Sequence, residues 1–253
     1  MLIDRVSLPA MPLAVAGNWK CNPESPDKLD GLIANINSCD TSKCEVYVCP
    51  SPLHVAYCQG KFTNDAVVAP QNCNFTGCGA YTGEMAVDQM KAMGISWVLL
   101  GHSERRGEFG LPTPKESNAL LATKLAYVLE KGLNCVFCIG EPLPIREKGA
   151  DAVLAECINQ LNDVKDLLDP ARVVIAYEPV WAIGTGVTAS PEQVRTGRTG
   201  DLTLGLAPDR DRALPRHPPP HLIRRLDSSH APSQPPEPHD PIPPPSPARG
   251  TFS

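Results

Sequence analysis

The strongest constraint on the fold is a repeated alternation of short apolar runs and longer amphipathic stretches along residues 13–194. The runs are four to six residues long and rich in Val, Ile, Leu and Ala, without apolar–polar alternation. This pattern is typical of parallel strands that are buried on both faces. Six strands are predicted, at residues 13–17, 45–49, 66–69, 97–101, 134–139 and 172–177.

Helical stretches separate these runs, so the pattern predicts six strand–helix units. The predicted helices are 26–38, 52–61, 85–93, 116–131 and 150–168, and Gly94 and Gly132 follow two of them where a helix-terminating glycine is expected. Such a series predicts either a doubly wound sheet or a (β/α)₈ barrel. No G-x-G-x-x-G follows the first strand, which disfavours a dinucleotide-binding sheet. A seventh unit begins at Ser190 with helix-start residues, and its pattern is lost at residues 196–200.

The composition changes at residue 195 and divides the chain into two predicted parts, 1–194 and 195–253. The second part holds 14 of the 28 prolines and eight arginines but no lysine. It is too poor in apolar residues to offset its ordering entropy, so we expect a disordered, Pro-rich tail. One interpretation is a ligand for SH3- or WW-type modules at residues 241–245. The favoured interpretation is translation of a non-native reading frame. Arginine is the only Lys or Arg type present, and together with many Pro, Gly and Ala residues it is typical of G+C-rich DNA translated without selection on the protein.

Charge and cysteine usage exclude several function classes. The net charge is −5 and no run of 18 apolar residues occurs, so we expect no nucleic-acid partner and no membrane partner. The first 17 residues lack the layout of a signal peptide, and Met11 is an alternative start. We expect a cytoplasmic protein, with an organelle copy as the alternative. All ten cysteines precede residue 158 and are expected to be reduced thiols. Cys135 and Cys138 should point to opposite faces of a strand, so no metal site is predicted.

Polar side chains follow three of the predicted strands, where the active face of such folds lies. Asn18 and Lys20 follow the first strand, His102 and Glu104 the fourth, and Glu178 the sixth. Singly, such a Lys is more often a solvated charge, such a His a core residue, and such a Glu a loop charge. Their coincidence at matching strand ends favours a shared site.

A carboxylate, an imidazole and an ammonium group together suit the abstraction of a proton from a carbon next to a carbonyl. A carboxylate removes the carbon-bound proton, an imidazole polarises the carbonyl, and an ammonium stabilises the developing negative charge. A phosphate-bearing enediolate must also be shielded from water. Residues 179–186 predict a lid, since a stiff Pro-Val-Trp entry leads to Gly184 and Gly186, which allow the backbone to approach a phosphate closely.

Five motifs together resemble the triosephosphate isomerase family, in the family's order and at close to its spacing. They are Asn-Trp-Lys at 18–20, Gly-Ala-Tyr-Thr-Gly-Glu at 79–84, Gly-His-Ser-Glu-Arg-Arg at 101–106, Cys-Ile-Gly-Glu at 138–141 and Tyr-Glu-Pro-Val-Trp-Ala-Ile-Gly-Thr-Gly at 177–186. The resemblance implies a (β/α)₈ barrel of which six units are present and strands seven and eight are absent. It implies interconversion of dihydroxyacetone phosphate and glyceraldehyde 3-phosphate in glycolysis and gluconeogenesis, without a cofactor.

The resemblance also implies roles for the polar residues. Glu178 would be the base, His102 the electrophile acting as a neutral imidazole, and Lys20 the fixed positive charge. Asn18 would orient the substrate oxygens, and Glu104 would be the carboxylate that supports Lys20.

Substrate and partner contacts are implied in the same way. The amide of Gly184 would meet the substrate phosphate. The family is homodimeric, and its third loop, here residues 71–84, enters the active-site mouth of the partner. Gln71, Thr82 and Cys21 would therefore lie at the dimer interface.

Two departures from the family leave three hypotheses open. Residues 111–115 look like an insertion, and the Tyr-Gly-Gly-Ser and Gly-Gly motifs that complete the phosphate site are absent. The chain is then an isomerase with an altered 3′ end, an inactive fragment whose tail at most binds partners, or another phosphate-sugar enzyme. As written, we expect it to be inactive and poorly folded, because the first and sixth strands would keep open edges.

Overall fold

A computed structural model describes residues 2–4, 13–107 and 115–183, and seven strands lie within these ranges. Six of them coincide with the six predicted strands to within two residues at either end. The strands are β1 (Leu2–Asp4), β2 (Leu13–Asn18), β3 (Cys44–Cys49), β4 (Val67–Val68), β5 (Trp97–Leu100), β6 (Asn134–Ile139) and β7 (Val173–Tyr177).

The sheet has the order β4-β3-β2-β1-β7-β6-β5 and curls until its ends meet. Neighbouring strands from β2 to β4 and from β5 to β7 pair in parallel, as predicted. The Leu99 N–H on β5 donates to the Pro70 carbonyl just after β4, at 2.8 Å, which joins the two ends. The closed arrangement agrees with a barrel and not with an open, doubly wound sheet.

The strand β1 corrects the expectation of open edges. Its backbone pairs antiparallel with β2, where Ile3 faces Ala14, and antiparallel with β7, where Ile3 faces Ala176. The edges of the first and sixth predicted strands are therefore both paired in the described part of the chain. The sequence pattern gave no sign of this, because three residues are too few to show a periodicity.

The helices lie between consecutive strands, and most are shorter than predicted. Helix α5 begins at Asn118 and not at 116, because Ser117 caps it by accepting a hydrogen bond from the Leu120 N–H at 3.2 Å. The described helices are α1 (Pro26–Asn37), α2 (Val55–Cys58), α3 (Val87–Ala92), α4 (Ser103–Arg106), α5 (Asn118–Glu130), α6 (Leu143–Arg146) and α7 (Ala150–Asn162), with 3₁₀ turns at Pro52–His54, Lys165–Leu167 and Val180–Ala182.

Two hydrophobic clusters lie in the described part of the chain, one inside the sheet and one between the sheet and the helices. The inner cluster contains small residues from β2 and β7 and the rings of Tyr47 and Trp97, which are tilted by 54° with centroids 4.5 Å apart. The outer cluster joins helix residues such as Leu125 to outward-facing strand residues such as Val98. Cys135 lies in the outer cluster and Cys138 in the inner one, so the two thiols point to opposite faces, as predicted.

Several sequence-based predictions lie outside the described residues. These are the lid glycine Gly184, the seventh unit at Ser190, the tail 195–253 and residues 111–114 of the insertion. Within the described ranges, no three His, Cys, Asp or Glu side chains are grouped so as to hold a metal ion. No described helix is long and apolar enough to cross a membrane.

Candidate active site

The carboxyl ends of β2, β5 and β7 bring three charged or titratable side chains to one mouth of the barrel. Lys20 follows β2, His102 follows β5, and Glu178 follows β7. His102 and Glu178 are both only 5% exposed, whereas Lys20 is half-buried. The predicted convergence therefore occurs at the predicted end of the sheet.

His102 and Glu178 are in direct contact. The imidazole Nε2 lies 3.1 Å from Glu178 Oε1. The other ring nitrogen, Nδ1, accepts a hydrogen bond from the Glu104 backbone N–H at 3.2 Å. A nitrogen that accepts cannot carry the proton, so this geometry assigns the proton of a neutral imidazole to Nε2, which faces the carboxylate.

The Glu178 carboxylate is held from several sides. Its Oε2 accepts the Ser103 backbone N–H at 3.2 Å, and its backbone N–H donates to Ile139 O at 2.8 Å. A Cβ at position 140 would lie 1.7 Å from the Glu178 carbonyl oxygen, so only glycine fits there. Burial, together with the neighbouring Glu178 carboxylate, raises the pKa of the Cys138 thiol, so that thiol stays neutral beside the base.

Lys20 is the one non-glycine residue with a positive φ (54°) in the described ranges. Its backbone N–H donates to Asn18 Oδ1 at 2.9 Å, and the Gln71 side-chain amide donates to its carbonyl at 2.9 Å. The same Gln71 nitrogen donates to Cys49 O at 2.9 Å. These bonds hold a backbone conformation that costs free energy for a side chain such as lysine, and such strained positions cluster at functional sites.

Glu104 connects Lys20 to His102. Its Oε1 accepts from Lys20 Nζ at 2.6 Å, and its Oε2 lies 3.6 Å from His102 Nδ1. The supporting role that the resemblance implied for Glu104 is consistent with its contact to the Lys20 ammonium.

Comparisons with known proteins agree with this geometry. The family model for triosephosphate isomerase matches residues 13–198. The chain is 39% identical over 191 residues to the cytosolic triosephosphate isomerase of Oryza sativa subsp. japonica, and the alignment covers 74% of this chain and 72% of the rice protein. The chain belongs to the triosephosphate isomerase family. By family it is therefore an intramolecular aldose–ketose isomerase.

A second buried carboxylate, which the sequence analysis did not single out as a site residue, binds residues on both sides of Glu178. Glu141 is fully buried and accepts hydrogen bonds from the Tyr177 hydroxyl at 2.8 Å and from Trp181 Nε1 at 2.9 Å. Arg146 Nη1 lies 3.7 Å from the same carboxylate. Burial and the Glu141 charge raise the pKa of Tyr177, which remains a donor. Only the Cys-Ile-Gly-Glu motif signalled Glu141.

An ion-pair network joins α4, the short helix that follows His102, to α5. Glu116, just before α5, is buried and accepts from Arg105 Nη2 at 2.6 Å and from Lys124 Nζ at 2.8 Å. Lys115, the last residue of the 111–115 stretch, lies against Gly107, since a Cβ at Gly107 would lie 2.7 Å from Lys115 Cγ.

The three predicted interface residues differ in their surroundings. Cys21 and Thr82 are exposed, as a partner contact requires. Gln71 instead has its amide turned inward, onto Lys20 O and Cys49 O of its own chain. Gln71 therefore supports the active site of this chain at the base of the third loop.

Thiol reactivity should follow burial. Cys21, Cys39 and Cys78 are exposed and Cys44 is half-buried, whereas the other six cysteines are buried. Burial raises the pKa of Cys58 to about 11 and that of Cys49 to about 12, so at pH 8 only about one such thiol in 10³ or fewer is the reactive thiolate. Titration of the monomeric chain at low protein concentration with an aromatic disulfide reagent should give three fast thiols, one slower thiol, and six that react only in denaturant. Rapid reaction of a buried thiol in the native protein would contradict the fold.

Proposed function

We propose that this chain carries the proton-transfer site for interconversion of dihydroxyacetone phosphate and glyceraldehyde 3-phosphate. The observation that supports it best is the contact between Glu178 Oε1 and His102 Nε2, with the opposite ring nitrogen accepting a backbone N–H. This arrangement sets a base beside a neutral imidazole donor, the pairing for which this enzyme family is itself the standard example.

In the proposed mechanism, Glu178 takes a proton from the carbon next to the substrate carbonyl. The His102 Nε2–H donates to the carbonyl oxygen as that oxygen gains negative charge, and an enediolate or enediol forms. The imidazole then moves a proton between the two oxygens, and Glu178 returns its proton to the neighbouring carbon. No electrons leave the substrate, so no redox cofactor is needed. Lys20, fixed by Glu104, stabilises the negative charge throughout.

Substrate orientation and subunit assembly complete the proposal. Asn18 and Lys20 would hold the substrate oxygens, and the Gly184 amide would meet the phosphate. A homodimer would form through the loop 71–84 and the exposed residues Thr82 and Cys21. The predicted setting is glycolysis and gluconeogenesis in the cytoplasm, and the cytosolic rice relative supports that location.

For the remainder of the chain, we propose an incomplete barrel of six βα units followed by a separate Pro-rich tail. The family match ends at residue 198, near the composition break at 195. In this proposal the phosphate-binding elements that normally follow strands seven and eight are not encoded in residues 195–253.

A chimera tests the proposed function. Residues 195–253 are replaced by the matching C-terminal segment of the rice relative, and isomerisation is assayed in both directions in the presence of a chelator. We expect turnover that needs no metal and that His102→Gln lowers by about 10²-fold or more, as expected for loss of an acid–base group. A correctly folded chimera without isomerase activity would contradict the proposal.

A further inference from the structure

The loop 71–84, which we call loop 3, presents an apolar, aromatic tip. Phe75 is 41% exposed and Tyr81 is 45% exposed. Exposed aromatic side chains are enriched on surfaces that bind another protein. Within loop 3 the Tyr81 N–H donates to Gly79 O at 2.9 Å and the Glu84 N–H donates to Tyr81 O at 3.0 Å, so the tip is a tight turn whose placement depends on what lies beneath the loop.

The base of loop 3 is closed by two hydrogen bonds and one buried glycine. The Asn74 N–H donates to Met85 O, and its side-chain amide donates to Gly77 O, both at 2.8 Å. Gly77 has a φ of +79°, and a Cβ there would lie 2.7 Å from the Tyr127 hydroxyl oxygen and 3.1 Å from Asp88 Oδ2. The loop backbone thus rests directly on a tyrosine–aspartate pair.

That pair belongs to a network that ties α3 to α5. The Tyr127 hydroxyl donates to Asp88 Oδ2 at 2.8 Å, and Lys131 Nζ donates to Asp88 Oδ1 at 2.7 Å. Helix α3 has only six residues and follows loop 3 directly, so it is too short to be stable without tertiary contacts. Hydrogen bonds from Lys131 and Tyr127 lower the pKa of Asp88, which keeps this anchor ionised at neutral pH.

We propose that Tyr127 is a positioning residue for loop 3: with Asp88 and Lys131 it forms a platform that holds the loop in the shape that binds a second copy of this chain. The inference rests on the proposed homodimer. It adds that side chains of α3 and α5 hold loop 3 in its binding conformation before a second copy binds. Tyr127 acts from beneath, through Gly77, and is not itself an interface residue.

The test uses the full chain with Tyr127→Phe. We expect amide hydrogen exchange in residues 74–84 to accelerate by about 3- to 10-fold, the loss expected for one hydrogen bond, and the dimer dissociation constant to rise by a similar factor. Tyr57→Phe is the matched control, because Tyr57 donates to Asp30 at 2.7 Å and lies under Lys61, away from loop 3. Equal loop exchange in the two variants would overturn the proposal.

A second variant separates positioning from a general loss of stability. Gly77→Ala should loosen loop 3, because the new Cβ collides with the Tyr127 hydroxyl and the positive φ is strained. Adding Tyr127→Phe removes the 2.7 Å contact with the hydroxyl but not the 3.1 Å approach to Asp88 Oδ2, so the double variant should lose less than the sum of the two single effects. Strict additivity would refute the contact. If the unmodified chain stays monomeric at all concentrations, the proposed homodimer is wrong. The hydrogen-exchange rates of loop 3 then still test whether Tyr127 positions the loop.

Discussion

Shortening the Glu178 side chain to aspartate is expected to lower the turnover of the completed chimera by about 10²- to 10³-fold, because a misplacement of only ~1 Å can cost 10²-fold. The backbone at residue 178 cannot shift to bring the shorter aspartate carboxylate back to the position of the glutamate carboxylate. The Glu178 N–H is bonded to Ile139 O, and its carbonyl is packed against Gly140, where not even a Cβ fits. We expect KM to stay within about threefold, because a misplaced base costs transition-state stabilisation more than ground-state binding.

Steady-state kinetics of the chimera and two variants measure this effect. Glu130→Asp, the same substitution at an exposed position on α5, is the control and should leave both constants unchanged. Circular dichroism of all three proteins checks that folding is equal. If Glu178→Asp retained full turnover, Glu178 would not be the base.

The strands and the polar residues at their ends could be predicted from the sequence because each signal is local. The run 134–139 is apolar throughout because both of its faces are covered, and Cys135 and Cys138 lie in different clusters as the two-residue period requires. His102 and Glu178 were predictable as a pair because equivalent ends of parallel strands meet at one mouth. Their 3.1 Å contact could not be predicted, because it depends on side-chain conformations at two separate strand ends. The tautomer could not be predicted either, because it depends on the Glu104 backbone N–H.

Other features depend on contacts between residues far apart in sequence, and a pattern cannot show these. Pairing of β1 with β7 joins residues 3 and 176, and the Gln71 amide reaches back to Lys20 and Cys49. The four-residue helix α4 is too short to have a period, and its start at Ser103 follows from His102 accepting the Glu104 N–H. The same holds for Glu141, whose partners Tyr177 and Trp181 come about 40 residues later.

The unmodified 253-residue chain is expected to isomerise triose phosphates at least about 10³-fold more slowly than the chimera, although it folds. Its fold is supported by β1, which pairs with both β2 and β7. Its sequence lacks the Tyr-Gly-Gly-Ser and Gly-Gly motifs that complete the phosphate site in this family. Binding energy from the non-reacting phosphate is what an enzyme uses to lower the barrier at the reacting carbon, so its loss lowers turnover as well as affinity.

A substrate without phosphate tests whether lost phosphate binding energy is the cause of the slow turnover. With glyceraldehyde, whose deuterium uptake from solvent is followed by proton NMR, the chimera and the unmodified chain should differ by less than about fivefold, because neither can use phosphate binding energy. Equal activity on triose phosphate would mean that residues 195–253 do supply a phosphate site, and the tail interpretation would be wrong. Loss of proton exchange on glyceraldehyde in the unmodified chain alone would instead favour the inactive-fragment hypothesis, because Glu178 and His102 would then not act together in it.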